Sequence, residues 1–240
     1  MGRAARYRLP LNVSEKGVTD SMTSNGRPRR WQRRAVAAAG AAIGLVTVPA
    51  AAASPARVPH SHDMLLPLAQ VESIVSDGGG PTLHANPLED RTSPWVDHSR
   101  DTERSAPCRH FANEDEAFGS TWVNFASTRY SGSSNVGVSQ HIAVYPDADT
   151  ARRAFDALTA AARQCHVHPS PGVLDAGDTL TEPDAVTLMA RYPETVNGPG
   201  SVSVYALHAQ VLIEVGAPHL STNPRIAQTV LALITQKIPA

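Results

Sequence analysis

Apolar and polar positions alternate most clearly between Val138 and Val144, where Val138, Ile142 and Val144 share one face of a pleated strand. Pro146 cannot donate to a ladder, so the strand stops there. The period then lengthens. Asp147 or Asp149 suits the first turn of a helix, whose free N–H groups and dipole both favour a carboxylate. Ala151, Ala154, Phe155, Leu158, Ala161, Ala162 and Cys165 then share one face, with Arg152, Arg153, Asp156 and Arg163 elsewhere. Strand, turn and capped helix from Gln140 to Cys165 are the centre of the chain. Gln140 falls on the apolar face and must find a partner or sit at an edge.

The pattern on either side predicts further elements. Asp63 to Val75 reads as a helix with Asp63 as cap, Pro67 in the first turn, and Leu68, Val71, Ile74 and Val75 as a stripe. Residues 82–103 are polar and proline-punctuated, a long loop. Cys108 to Phe118 reads as a short acidic helix. Thr121 to Tyr130 is a strand in which Val123 and Phe125 alternate with Trp122 and Asn124, and Ser131 to Asn135 is a hairpin loop. After the main helix, residues 166–183 read as loop. Ala185 to Tyr192 is a strand with Val186, Leu188 and Ala190 on one face. Val202, Val204 and Ala206 alternate with Ser203, Tyr205 and Leu207, and Val211, Ile213 and Val215 with Leu212 and Glu214. The join at His208-Ala209-Gln210 is a tight turn or a bend in one long strand. Asn223-Pro224 opens a last helix with Ile226, Val230, Leu233 and Ile234 inward. The expectation is an α+β domain, a single antiparallel (mixed) sheet with helices packed on one face.

Charge and cysteine content set the compartment. Arg27 to Arg34 is strongly basic, Ala35 to Val48 carries no charge, and Ala51-Ala52-Ala53 offers a cleavage site, which is the order of a secretory signal. Either Met1 or Met22 can start it, and an uncleaved anchor is the alternative. The apolar run is shorter than the roughly 20 residues of a membrane span. Residues 1–53 are therefore read as targeting segment, 54–62 as linker and 63–240 as the folded domain. Of 21 Lys+Arg and 22 Asp+Glu, nine and two lie in residues 1–53, leaving a domain of formal charge near −8 with His neutral. Such a domain is a poor partner for nucleic acid. Export and two cysteines argue for one disulfide between Cys108 and Cys165, the alternative being two buried thiols.

Val144-Tyr145-Pro146-Asp147, Ala154-Phe155-Asp156-Ala157-Leu158 and Cys165 at the end of that helix resemble the PknH-like extracellular domain, a mycobacterial and actinobacterial module. It occurs as the sensor of a serine/threonine kinase and in free-standing secreted or lipid-anchored proteins. The resemblance runs over roughly residues 63–238. It implies one α+β domain with a cleft beside the sheet for a small ligand. The kinase sensor carries two disulfides, and this chain has cysteines for only one.

Few motifs point to catalysis. There is no Gly-x-Ser-x-Gly, His-Glu-x-x-His or P-loop. Ser131-Gly132-Ser133-Ser134 reads as a flexible hairpin rather than a nucleophile loop, and Asp77 to Gly80 follows a helix instead of opening one. Asn113 to Glu116 could attract calcium, but an acidic helix start explains it equally well. His60/His62 and His166/His168 lack a third zinc ligand. No metal or cofactor is expected. If helices cover the Val/Ile face, the other presents Trp122, Asn124, Ser139, His141, Met189, Arg191, Tyr205 and Glu214 as candidate ligand contacts. The function expected is a secreted, non-catalytic ligand-binding or sensor-like domain of the cell envelope. Its partner would be an unidentified small molecule or an envelope protein. A cell-envelope hydrolase and a protein-interaction module without a small ligand are the alternatives.

Overall fold

The computed structural model describes residues 58–85, 89–170, 172–174, 177–194 and 199–239. The predicted targeting segment lies outside them. Two short helices open the described chain, α1 (Ser61–Met64) and α2 (Leu68–Asp77), where the stripe predicts one. Pro67 lacks an N–H and disfavours helix in the residue before it, so the chain breaks at Leu65–Leu66 and restarts with Pro67 as the cap of α2. The acidic helix likewise splits into α3 (Ala106–Ala112) and α4 (Glu114–Phe118) at an extended Asn113. The central helix α5 (Ala148–Val167) starts as predicted, with Asp147 Oδ1 accepting from the Thr150 amide at 2.7 Å. The last helix is α6 (Arg225–Gln236).

Among the described residues, seven strands form one antiparallel sheet: β1 (His84–Ala85), β2 (Asn124–Ser131), β3 (Gly137–Val144), β4 (Thr179–Asp184), β5 (Thr187–Tyr192), β6 (Ser201–His208) and β7 (Val211–Ala217). Their order is β1-β2-β3-β7-β6-β5-β4. The chain builds the β2–β3 hairpin, crosses the sheet along α5, and returns as the meander β4 to β7, which docks on β3. His208 pairs with Val211, so the join is a two-residue hairpin turn with Ala209 at a left-handed φ of 50°. β1 and β4 fall in stretches that read as loop. β4 is a mostly exposed edge strand carrying Pro183, which lacks the alternation that marks a strand.

The class, the single antiparallel sheet and the Cys108–Cys165 disulfide are as expected. The layering is not, because helices cover both faces. Val138, Ile142, Val144, Val204, Ile213 and Val215 pack with Val71, Val75, Val230 and Ile234 of α2 and α6. Ala143, Leu188, Ala190, Leu207 and Leu212 pack with Phe111, Phe155, Leu158 and Ala162 of α3 and α5. A run such as Val211-Leu212-Ile213, buried at every position, requires apolar layers on both sides. Gln140, fully buried, finds its partner in the chain break: its side chain accepts from the Leu66 amide at 2.8 Å and donates to the Leu66 carbonyl at 3.1 Å.

Candidate functional site

The α5 face is apolar at one end and polar at the other. Two rows of side chains cross it there, each set by the strand register. Ser127, His141, Glu214 and Tyr205 are successive partners on β2, β3, β7 and β6. Arg129, Ser139, Gly216 and Ser203 form the next row. Gly216 fits this row because it lacks a side chain: a Cβ there would stand 2.5 Å from Ser139 Oγ and 3.8 Å from Ser203 Oγ, so the Ser139 hydroxyl lies over the glycine, and the two rows are the floor of a polar trough.

The wall over β2 and β3 comes from α4 and the segment before it. Glu114 in the first turn of α4 sits 2.9 Å from His141 Nδ1 through Oε1 and 3.1 Å from Arg91 Nη2 through Oε2. Arg91 also pairs with Glu89 at 3.1 Å, and its guanidinium lies 5.3 Å from the ring centroid of exposed Trp95. Arg91 is held by backbone bonds in both directions with Ser127, at 3.0 and 2.9 Å. Phe118 stacks on His141 and Phe111 packs on Tyr205, at centroid distances of 6.3 and 5.8 Å. A cavity of about 110 Å³ at this end is lined by Glu89, Arg91, Ser127, Thr128, Arg129, Ser139 and His141.

Of the eight predicted contacts, Ser139, His141, Tyr205 and Glu214 come together here. Trp122 lies just before β2, packs on Phe125 at 5.9 Å and donates to the Gly119 carbonyl at 2.9 Å. The other three are corrections. Asn124 faces the α2/α6 side, where it binds the Ser61 amide at 2.8 Å and the Pro59 carbonyl at 3.2 Å and anchors α1. Met189 and Arg191 sit opposite Val204 and Val202 on that same side, Met189 in its core. The alternation in β2 and β5 is inverted relative to β3, so Phe125, Leu188 and Ala190 point to the α5 face instead. Reasoning from sequence missed Arg91, Glu114, Ser127, Arg129, Ser203 and Gly216. Ser127 and Arg129 follow from the alternation once Phe125 is placed on the correct face.

Electrostatics couple the first row. Burial works against a charged His141, but the Glu114 hydrogen bond and the charges of Glu214 and Glu114 outweigh it and hold the imidazole above its ordinary value. Burial likewise opposes ionised Glu114, but His141 and Arg91 bring its carboxyl below the ordinary range. Burial, reinforced by Glu114, pushes Glu214 up, and Tyr205 is pushed well up by the same desolvation and by Glu214. The raised His141 contributes stability that is fully present below its ordinary value of 6.5 and is lost as pH climbs through the folded value. Raised Glu214 acts in the same direction, while lowered Glu114 contributes above 4.5 and loses its share as pH falls through its folded value. The thermal midpoint is therefore expected to be highest between about pH 5 and 6.5 and to decline toward pH 8. In His141→Gln the alkaline decline should flatten. A wild-type midpoint that is level or rising from about pH 6 to 8 contradicts this assignment.

The arrangement supplies a carboxylate and an imidazole, two parts of a nucleophilic triad. Ser127 is the cross-strand neighbour of His141, but among the described residues its Oγ makes no hydrogen bond to the ring. Elsewhere, His98 Nδ1 lies 3.0 Å from Asp101 and 3.9 Å from Glu116, and Nε2 lies 3.2 Å from Asp115. These groups have metal-ligand character, with both ring nitrogens already engaged by carboxylates. Glu114, part of the acidic run read as a calcium candidate, turns away to His141.

The sequence matches the family described as the PknH-like extracellular domain over residues 55–237. The chain belongs to that family. The extracellular domain of PknH from Mycobacterium tuberculosis has the same fold, with a TM-score of 0.56 at 16% identity over 77% of this chain and 97% of that one. No curated protein matches. Membership of the PknH-like family places the domain outside the cell and fits a sensor-type role. Among the described residues no helix is long and apolar enough to cross a membrane.

Proposed function

We propose that this PknH-like domain is a secreted, non-catalytic receptor for a small envelope molecule seated in the polar trough. Residues 1–53 are its export leader, 54–62 a linker and 63–240 the binding domain. The observation that carries this reading is the cavity of about 110 Å³ at the β2–β3 end of the two polar rows, lined by Ser127, Arg129, Ser139 and His141 among others. Tyr205 and the Glu114–His141–Glu214 set supply further donors and acceptors, and Phe111 and Phe118 back the row. A few placed polar groups against apolar walls are what a small-ligand site requires.

The test is native mass spectrometry of the exported domain after incubation with envelope extract. A retained small molecule is expected on wild type. Gly216→Val takes the position of the Ser139 hydroxyl, which must rotate and so alters the cavity that Ser139 lines; the variant should fold and lose the molecule. Retention unchanged in a folded Gly216→Val places the ligand elsewhere. Trp95 and Val96, 55% and 63% exposed beside the trough, favour a second reading in which an envelope protein docks on this rim. Co-purification of a protein that is lost on Trp95→Ala would select it.

A further inference from the structure

We infer that the cavity at the β2–β3 end of the trough is a seat for a small oxyanion, the phosphate or carboxylate end of the trough ligand, held by Arg129 and Ser127. This rests on the trough being the ligand site and adds the chemical class of one end of its occupant. Ser127 is 2% exposed, lines the cavity, and its Oγ has no hydrogen-bond partner among the described residues. A buried hydroxyl left unpaired costs free energy that a ligand oxygen recovers. Arg129 lines the same cavity, and its buried Nε is also without a partner among the described residues.

The unpartnered guanidinium selects an anion. Arg91 already meets Glu89 and Glu114, and Glu114 also meets His141, so the two carboxylates that face Arg91 are engaged by cations, while Glu214 lies one strand further on beside His141. Arg129 makes no ion pair among the described residues. A guanidinium with free donors and an adjacent orphan hydroxyl match the oxygens of a phosphate or carboxylate. The 110 Å³ volume admits such a group, and Ser139 in its lining leads into the trough, where the rest of a larger molecule would lie.

The experiment is an NMR titration of the ¹⁵N-labelled domain, following the arginine Nε–H signals and, in every form including the variants, the backbone amide signals of β2 and β3, with inorganic phosphate, glycerol 3-phosphate and, as neutral control, glycerol. Both phosphates should give a saturable shift of the Arg129 Nε–H signal, and glycerol none. Tighter binding of glycerol 3-phosphate identifies the seat as the end of a larger ligand, and equal binding identifies it as a free-ion seat. Arg129→Gln should weaken both by about tenfold or more and Ser127→Ala several-fold, with exposed Arg153→Gln unchanged. No saturable shift, or phosphate binding indifferent to Arg129→Gln in a folded variant, overturns the anion seat. The extract experiment decides the trough separately. A neutral retained molecule lost in Gly216→Val keeps the trough and removes the anion. Phosphate binding through Arg129 with nothing retained from extract keeps the anion and removes the trough reading.

Discussion

Replacing Cys108 and Cys165 together by alanine is expected to lower the unfolding free energy by about 4 kcal/mol. The bridge spans 57 residues, and in the chain-entropy model a loop of that length removes about that much from the denatured ensemble. Cys108 lies on the seven-residue α3 and Cys165 in the last turn of α5, both fully buried. A helix that short has almost no stability of its own, so the bond to α5 is what fixes it against the sheet. α3 runs directly into α4, which carries Glu114, so the loss reaches the site. Urea unfolding should show a lower midpoint and a steeper dependence on urea, because the untethered denatured chain exposes more surface. The His141 ring signals should also move, as the Glu114 wall loosens. An unchanged midpoint on reduction would mean that packing alone holds α3 in place.

The alternation and helical periods of the middle and C-terminal chain were legible because burial there is asymmetric within each element. The main helix, its Asp147 cap and the strands β3, β5, β6 and β7 all follow from positions two or about 3.6 apart. What period 2 does not carry is which face of one strand aligns with which face of the next. Leu188 and Ala190 look as apolar as Ile142 and Val144, yet the register puts them under α5 and puts Met189 with Val204. When both faces are apolar, hydrophobicity no longer tells inside from outside, and Met189, Arg191 and Asn124 were misplaced for that reason. The helix breaks at Pro67 and Asn113 were hidden because the apolar stripe continues through each break. Half of the trough was illegible for a further reason. Glu114 and Arg91 reach it from separate segments, and only the folded chain brings them to His141.

Gln140→Leu, which keeps the side chain's size and removes only its amide, is expected to cost roughly 3 kcal/mol. The Leu66 amide has the Gln140 oxygen as its partner at 2.8 Å, in a break where no helix can satisfy it, and Leu66 is fully buried. Orphaning a buried N–H costs about 1–3 kcal/mol, and the lost bond from the Gln140 amide to the Leu66 carbonyl adds about 1 kcal/mol. That carbonyl also accepts from Tyr130 Oη at 2.9 Å, so it keeps one partner in the variant. Tyr130→Phe is the contrasting case: the carbonyl keeps Gln140 and the amide is untouched, so its loss should be near 1 kcal/mol. The double variant should exceed the sum of the two, because only there does the carbonyl lose both donors. Chemical denaturation of the four forms reads the cycle. Simple additivity, or a Gln140→Leu as stable as wild type, would show that the α1–α2 break satisfies its backbone without Gln140, and that a polar residue at this apolar position has no structural task there.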